Sequence, residues 1–80
     1  MERSEIVARA KRIVSERIGK ETSEISESTN LKNDLGFDSL FIASLIVKID
    51  EEFDIDISLD DIETIQTLGD LVRVVEKYVK

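Results

Sequence analysis

Apolar residues along this chain recur at helical rather than strand spacing. Ile6, Ala10, Ile13 and Val14 fall three or four apart, with Arg9, Lys11, Arg12 and Glu16 between them. That pattern predicts an amphipathic helix over residues 4 to 18. Gly19 follows directly, as expected of the residue that ends a helix in the left-handed region. From Lys20 to Asn33 the periodicity stops. Ser, Thr and Glu dominate there, Ile25 and Leu31 are the large apolar anchors, and a long connecting loop is expected.

Periodicity returns after the turn Asp34-Leu35-Gly36-Phe37-Asp38. Leu45, Ile49 and Phe53 lie at i, i+4 and i+8, flanked by Ile42 and Ile46. A second helix is therefore predicted from about Ser39 to Phe53, with Gly36 allowing the chain to reverse and Asp38 or Ser39 capping the orphan amides. Ser58 is suited to cap a short helix that holds Asp60, Asp61 and Glu63. Thr67 and Asp70 have the spacing of a capping box for a last helix, whose predicted buried face is Leu68, Leu71, Val72, Val75 and Val79. Lys77 and Lys80 sit at its end, where cations favour the helix dipole. The alternation of Asp54, Ile55, Asp56 and Ile57 is too short to build a sheet. The expectation is an all-α, four-helix bundle with three main helices, one short helix and a long first loop, in which residues 1–80 make a single domain.

Composition narrows the chemistry. The 80 residues include no Cys and no His, which removes disulfides, thiolate nucleophiles, imidazole bases and the commonest zinc sites. The net charge of −7 is uneven: residues 1–20 carry six basic and three acidic groups, residues 21–80 five basic and fifteen acidic. A field of that sign repels nucleic acid and anionic membranes and draws in partners with a basic face. The first ten residues lack the apolar run of a signal peptide, and no stretch is long and apolar enough to span a bilayer, so a cytoplasmic protein is expected. Asp54, Asp56, Ser58 and Asp60 have the spacing of a calcium loop. However, Leu59 stands where glycine is required and Ile65 where a bidentate Glu is required, so no metal site is assigned. Without an oriented base or an expected large pocket, an enzyme is not indicated.

The remaining candidate chemistry is Asp38-Ser39-Leu40. A hydroxyl at a helix N-terminus faces unpaired amides and the positive end of the dipole, a setting that suits a phosphodiester; on these residues alone, a serine so placed is usually a cap. In context, the run Gly36-Phe37-Asp38-Ser39-Leu40, the apolar helix after it and its close at Asp50-Glu51-Glu52-Phe53-Asp54 resemble the acyl carrier protein family. The resemblance extends over nearly the whole chain.

This resemblance implies that Ser39 bears a covalent 4′-phosphopantetheine, installed by a phosphopantetheinyl transferase, and that its thiol carries acyl groups as thioesters. Asp38 is then expected to position the serine, Gly36 to let the loop turn close to the helix and Leu40 to anchor the helix start in the core. Partner enzymes, acyl-transferring or chain-extending, are expected to dock basic or apolar patches against Phe41, Ser44, Lys48, Asp50, Glu51 and Glu52. Phe41 and Ser44 replace residues that are commonly acidic in the family. Phe41, Ser44, Lys48 and Glu52 should share an outer face, with Phe41 either exposed or tucked against Phe37 or the loop. Leu45, Ile49, Ile57, Ile62 and Ile65 are expected either to shelter an acyl chain or to be simply core. A monomer is expected. A peptidyl or aminoacyl carrier is the nearest alternative, although such sequences often hold a second Gly and a His around the serine. An acidic helical adaptor without a prosthetic group is the other.

Overall fold

A computed structural model describes residues 1–33, Gly36 and residues 39–79, with Ser39 described through its backbone alone. The chain forms α1 (Arg3–Ile18), a 3-10 turn (Thr22–Glu24), α2 (Ser39–Phe53), α3 (Leu59–Glu63) and α4 (Leu68–Tyr78), with no strand among the described residues. These are the predicted helices in the predicted order. α1 closes at Gly19, which adopts φ 71° and donates its amide to the Ser15 carbonyl at 2.8 Å. α2 ends differently. Asp54 takes the left-handed turn at φ 54°, a conformation Asp tolerates better than most residues, and the Ile55 amide reaches back to the Asp50 carbonyl at 3.0 Å.

One apolar core joins the long helices. Ile6, Ala10, Ile13 and Val14 of α1 meet Ile42, Leu45, Ile46, Ile49 and Phe53 of α2 and Leu68, Leu71, Val72 and Val75 of α4. Val74 also lies in the core, whereas Val79, beyond the last turn of α4, is only half-buried. Lys80, expected at the end of that helix, lies outside the described residues. Among the described residues the core holds no buried polar or charged side chain. No helix is long and apolar enough to cross a membrane among the described residues.

The first loop is built as a strap rather than slack chain. Ile25 and Leu31 bury their side chains, and the backbone between them pairs with the entry to α4. Leu31 donates its amide to the Gln66 carbonyl at 2.8 Å, Leu68 to Thr29 at 3.1 Å and Gly69 to Glu27 at 2.8 Å. The loop carbonyls thereby satisfy amides that the first turn of a helix leaves without partners. A β-carbon on Gly69 would stand only 3.1 Å from the Glu27 carbonyl, so a larger residue there would press the strap back by a few tenths of an ångström. Thr67 and Asp70 complete the expected capping box: the Asp70 amide donates to Thr67 Oγ1 at 3.1 Å and the Thr67 amide to Asp70 Oδ2 at 3.1 Å.

α3 is held differently again. It buries no residue fully. Ser58 caps it by accepting the Asp61 amide at 3.3 Å. Asp61 then accepts from Lys77 Nζ at 2.7 Å and from the Tyr78 hydroxyl, while the Ser58 amide donates to the Tyr78 oxygen at 3.1 Å. Hydrogen bonds from Lys77 and Tyr78 hold the Asp61 carboxyl below its ordinary pKa, and Asp61 in turn raises that of Lys77.

Candidate functional site

The backbone enters α2 at Ser39, the position at which the sequence pattern starts the helix. Gly36 adopts φ 70°, and a β-carbon there would meet open space, so conformation rather than room favours glycine. Asp38, Phe37 and the Ser39 side chain lie outside the described residues, and with them the cap expected at Asp38 or Ser39 and any contact between Phe37 and Phe41.

Leu40 does not anchor the helix in the core. Its side chain is 81% exposed. The reason is helical phase: Leu40 precedes the buried Ile42 by two residues, about 200° around the helix. Ala43, three residues after Leu40, and Val47, four after Ala43, are exposed as well, Val47 by 57%. The outer face of α2 therefore begins with an apolar strip beside Ser39. The helical phase held this signal, since the three residues fall between the core stripe and the polar one.

Phe41, Ser44, Lys48 and Glu52 do share a stripe, but it turns toward α1 rather than fully outward. Phe41 is half-buried against the core, and the Arg17 guanidinium lies 5.3 Å from its ring centroid. The same guanidinium donates to Ser44 Oγ at 2.5 Å. At the other end Glu52 pairs with Arg12 at 2.9 Å and Arg9 at 3.4 Å. A groove of about 400 Å³ runs between α1 and α2, with Arg17, Lys48, Glu51 and Glu52 among its walls.

The acidic close of α2 is partly committed to the fold. Asp50 accepts the Ile57 amide at 3.2 Å, which ties the following segment to the helix. Burial raises the Asp50 pKa, the Ile57 amide lowers it and the charge of Asp56 raises it, with a net upward shift. Glu51 remains exposed. Of the five candidate acyl-chain residues, Leu45, Ile49, Ile57 and Ile65 sit within the packed core. Ile62 is half-buried and lines a small cavity of about 120 Å³ with Ile42, Lys32 and Glu63. Sequence reasoning missed Ile42 as a cavity residue, because its helical spacing marks it as core.

Residues 8–75 match the family model described as the phosphopantetheine attachment site. The chain is 39% identical over 75 residues to an acyl carrier protein of Thermotoga maritima, covering 94% of this chain and 93% of that one. Two solved structures are similar throughout. An acyl carrier protein from Enterococcus faecalis superposes with a TM-score of 0.80 at 28% identity, covering 96% of this chain and 98% of the other. A crystal structure of acyl carrier protein from Thermotoga maritima gives 0.79 at 34% identity, covering 96% and 89%. The chain thus belongs to the acyl carrier protein family, whose members carry acyl groups on phosphopantetheine and leave catalysis to the separate enzymes they partner.

Proposed function

We propose that residues 1–80 form one carrier domain whose 4′-phosphopantetheine is esterified to Ser39, and that partner enzymes dock along the exposed face of α2. The observation that carries this reading is the start of α2 at Ser39, within the matched attachment region. The amides of the first turn and the positive end of a fifteen-residue helix suit the phosphate that the arm would bring. Gly36 takes the left-handed region three residues before the helix starts. Asp38 is assigned the positioning of the serine during transfer. When attached, the arm supplies the thiol that holds an acyl group, a nucleophile that a chain without cysteine lacks.

The enzymes proposed to dock are the phosphopantetheinyl transferase and acyl-transferring or chain-extending enzymes. Leu40, Ala43 and Val47 give them an apolar strip, and Glu51 an exposed carboxylate at its far end. Acyl sheltering begins at Ile62 and Ile42. The cavity there is only about 120 Å³, so a long chain needs Leu45, Ile49, Ile57 or Ile65 to move apart.

Mass spectrometry after incubation with coenzyme A and a broad-specificity transferase tests the attachment. The expected result is a gain of about 340 Da, the mass of the transferred group, on the wild-type chain and none on Ser39→Ala. A wild-type chain that stays unmodified overturns the reading and leaves an acidic helical adaptor.

A further inference from the structure

We propose that the α1-facing edge of α2 is a recognition surface for a carboxylate on the partner enzyme, with Arg17 and Lys48 as its determinants. The inference rests on the carrier reading above. Its ground is an asymmetry in how the charges along this edge are compensated. At the far end Glu52 is matched by Arg9 and Arg12. At the end nearer Ser39, Arg17 meets the Phe41 ring and the Ser44 hydroxyl, neither of which carries charge. Lys48 lies between the two ends. Neither Arg17 nor Lys48 has a carboxylate within ion-pair distance among the described residues, and both line the same groove.

The groove is polarised rather than uniformly basic: Glu16 and Glu51 line it too, neither within ion-pair distance of Arg17 or Lys48. A partner that fits it places a carboxylate against Arg17 and Lys48, with its apolar contacts on the neighbouring Leu40, Ala43 and Val47. The overall charge of −7 does not decide the matter at contact. Salt screens remote charges over about 8 Å, while groups that meet and desolvate act at hydrogen-bond range. Arg17 is also oriented before any partner arrives. The ring beneath it and the Ser44 hydroxyl limit its rotamers, which lowers the ordering cost of docking. Because α1 supplies this cation, recognition involves two helices rather than α2 alone.

A charge-swap experiment tests the assignment with defined components. One enzyme is a transferase whose carrier-docking face is basic; the other is the same enzyme with two of those cations replaced by Glu. Each is assayed on the full-length wild-type chain and on Lys48→Glu and Arg17→Glu, all three checked by thermal melting. The quantity read is kcat/KM on the acidified enzyme divided by that on the basic one, so any intrinsic loss in the altered enzyme cancels between carriers. The expected result is that each substitution lowers this ratio by about tenfold, chiefly through KM, as for close charge pairs at an interface. Loading of Ser39 with a ratio unchanged by both substitutions overturns the docking surface while leaving the carrier reading intact. No loading of the wild-type chain by either enzyme removes the carrier reading and this inference with it.

Discussion

α3 and α4 adjoin each other and are stabilised by opposite means. α4 buries Leu68, Leu71, Val72, Val74 and Val75, and its position is fixed chiefly by apolar contact with α1. α3 buries nothing completely and is held through Ser58, Asp61, Lys77 and Tyr78. Apolar burial at the centre is cooperative, so a defect in α4 weakens the whole molecule. A defect in the polar ties of α3 is absorbed locally, because the core beneath does not depend on them.

Leu71→Ala should have the largest effect, about 2–5 kcal/mol from lost burial and the cavity left behind, read as a lowered urea midpoint. A change below 1 kcal/mol would erase the contrast. Thr67→Ala, which removes a cap at the junction of strap and helix, should cost about 1 kcal/mol by the same measurement. Tyr78→Phe removes the hydroxyl that links α3 to α4. It should cost about 0.5–1.5 kcal/mol, with hydrogen exchange quickening at the α3 amides first. Uniform quickening across α1 and α4 would show that α3 is not separable.

Acidification probes the same contrast more gently. Asp61 and Asp70 have folded pKa values below the ordinary 3.8. Their stabilisation is complete above that ordinary value and disappears as pH falls through the lower folded ones. For Asp70, burial acts against the shift, and the amides of Thr67 and Gln66 outweigh it. Asp50, shifted upward, works in reverse: its ionised form is disfavoured by folding, and that cost is relieved as pH falls through the raised value. Carboxyl NMR should therefore show Asp50 titrating above 3.8 and Asp61 and Asp70 below it. Smallest of all, Leu40→Ser should change stability by no more than about 0.5 kcal/mol, since its side chain is already in water. A cost near that of Leu71→Ala would place Leu40 in the core after all.

The helices were legible in the sequence because each rests on local rules. Apolar spacing marked α1, α2 and α4, and Ser58, Thr67 and Asp70 announced their caps. The start of α2 at Ser39 was legible for the same reason. Other features depend on contacts between distant segments, which spacing does not encode. The strap pairing Glu27, Thr29 and Leu31 with the start of α4 joins residues 35 to 42 positions apart. Arg17 reaches Phe41 and Ser44 only because α1 lies against α2. Leu40 misled for a simpler reason: a leucine at a helix start looks like an anchor until its phase is counted against Ile42.

The bare apolar strip on α2 also bears on how copies of this chain treat one another. Leu40, Ala43 and Val47 would favour sticking wherever two molecules met face to face, while seven net negative charges on each hold them apart. On the proposed reading, acidity acts as a spacer that keeps a greasy handle available to partner enzymes without letting it clump. Raising the salt shortens that spacer, so crowded, saline solutions are where the handle should first find its own twin.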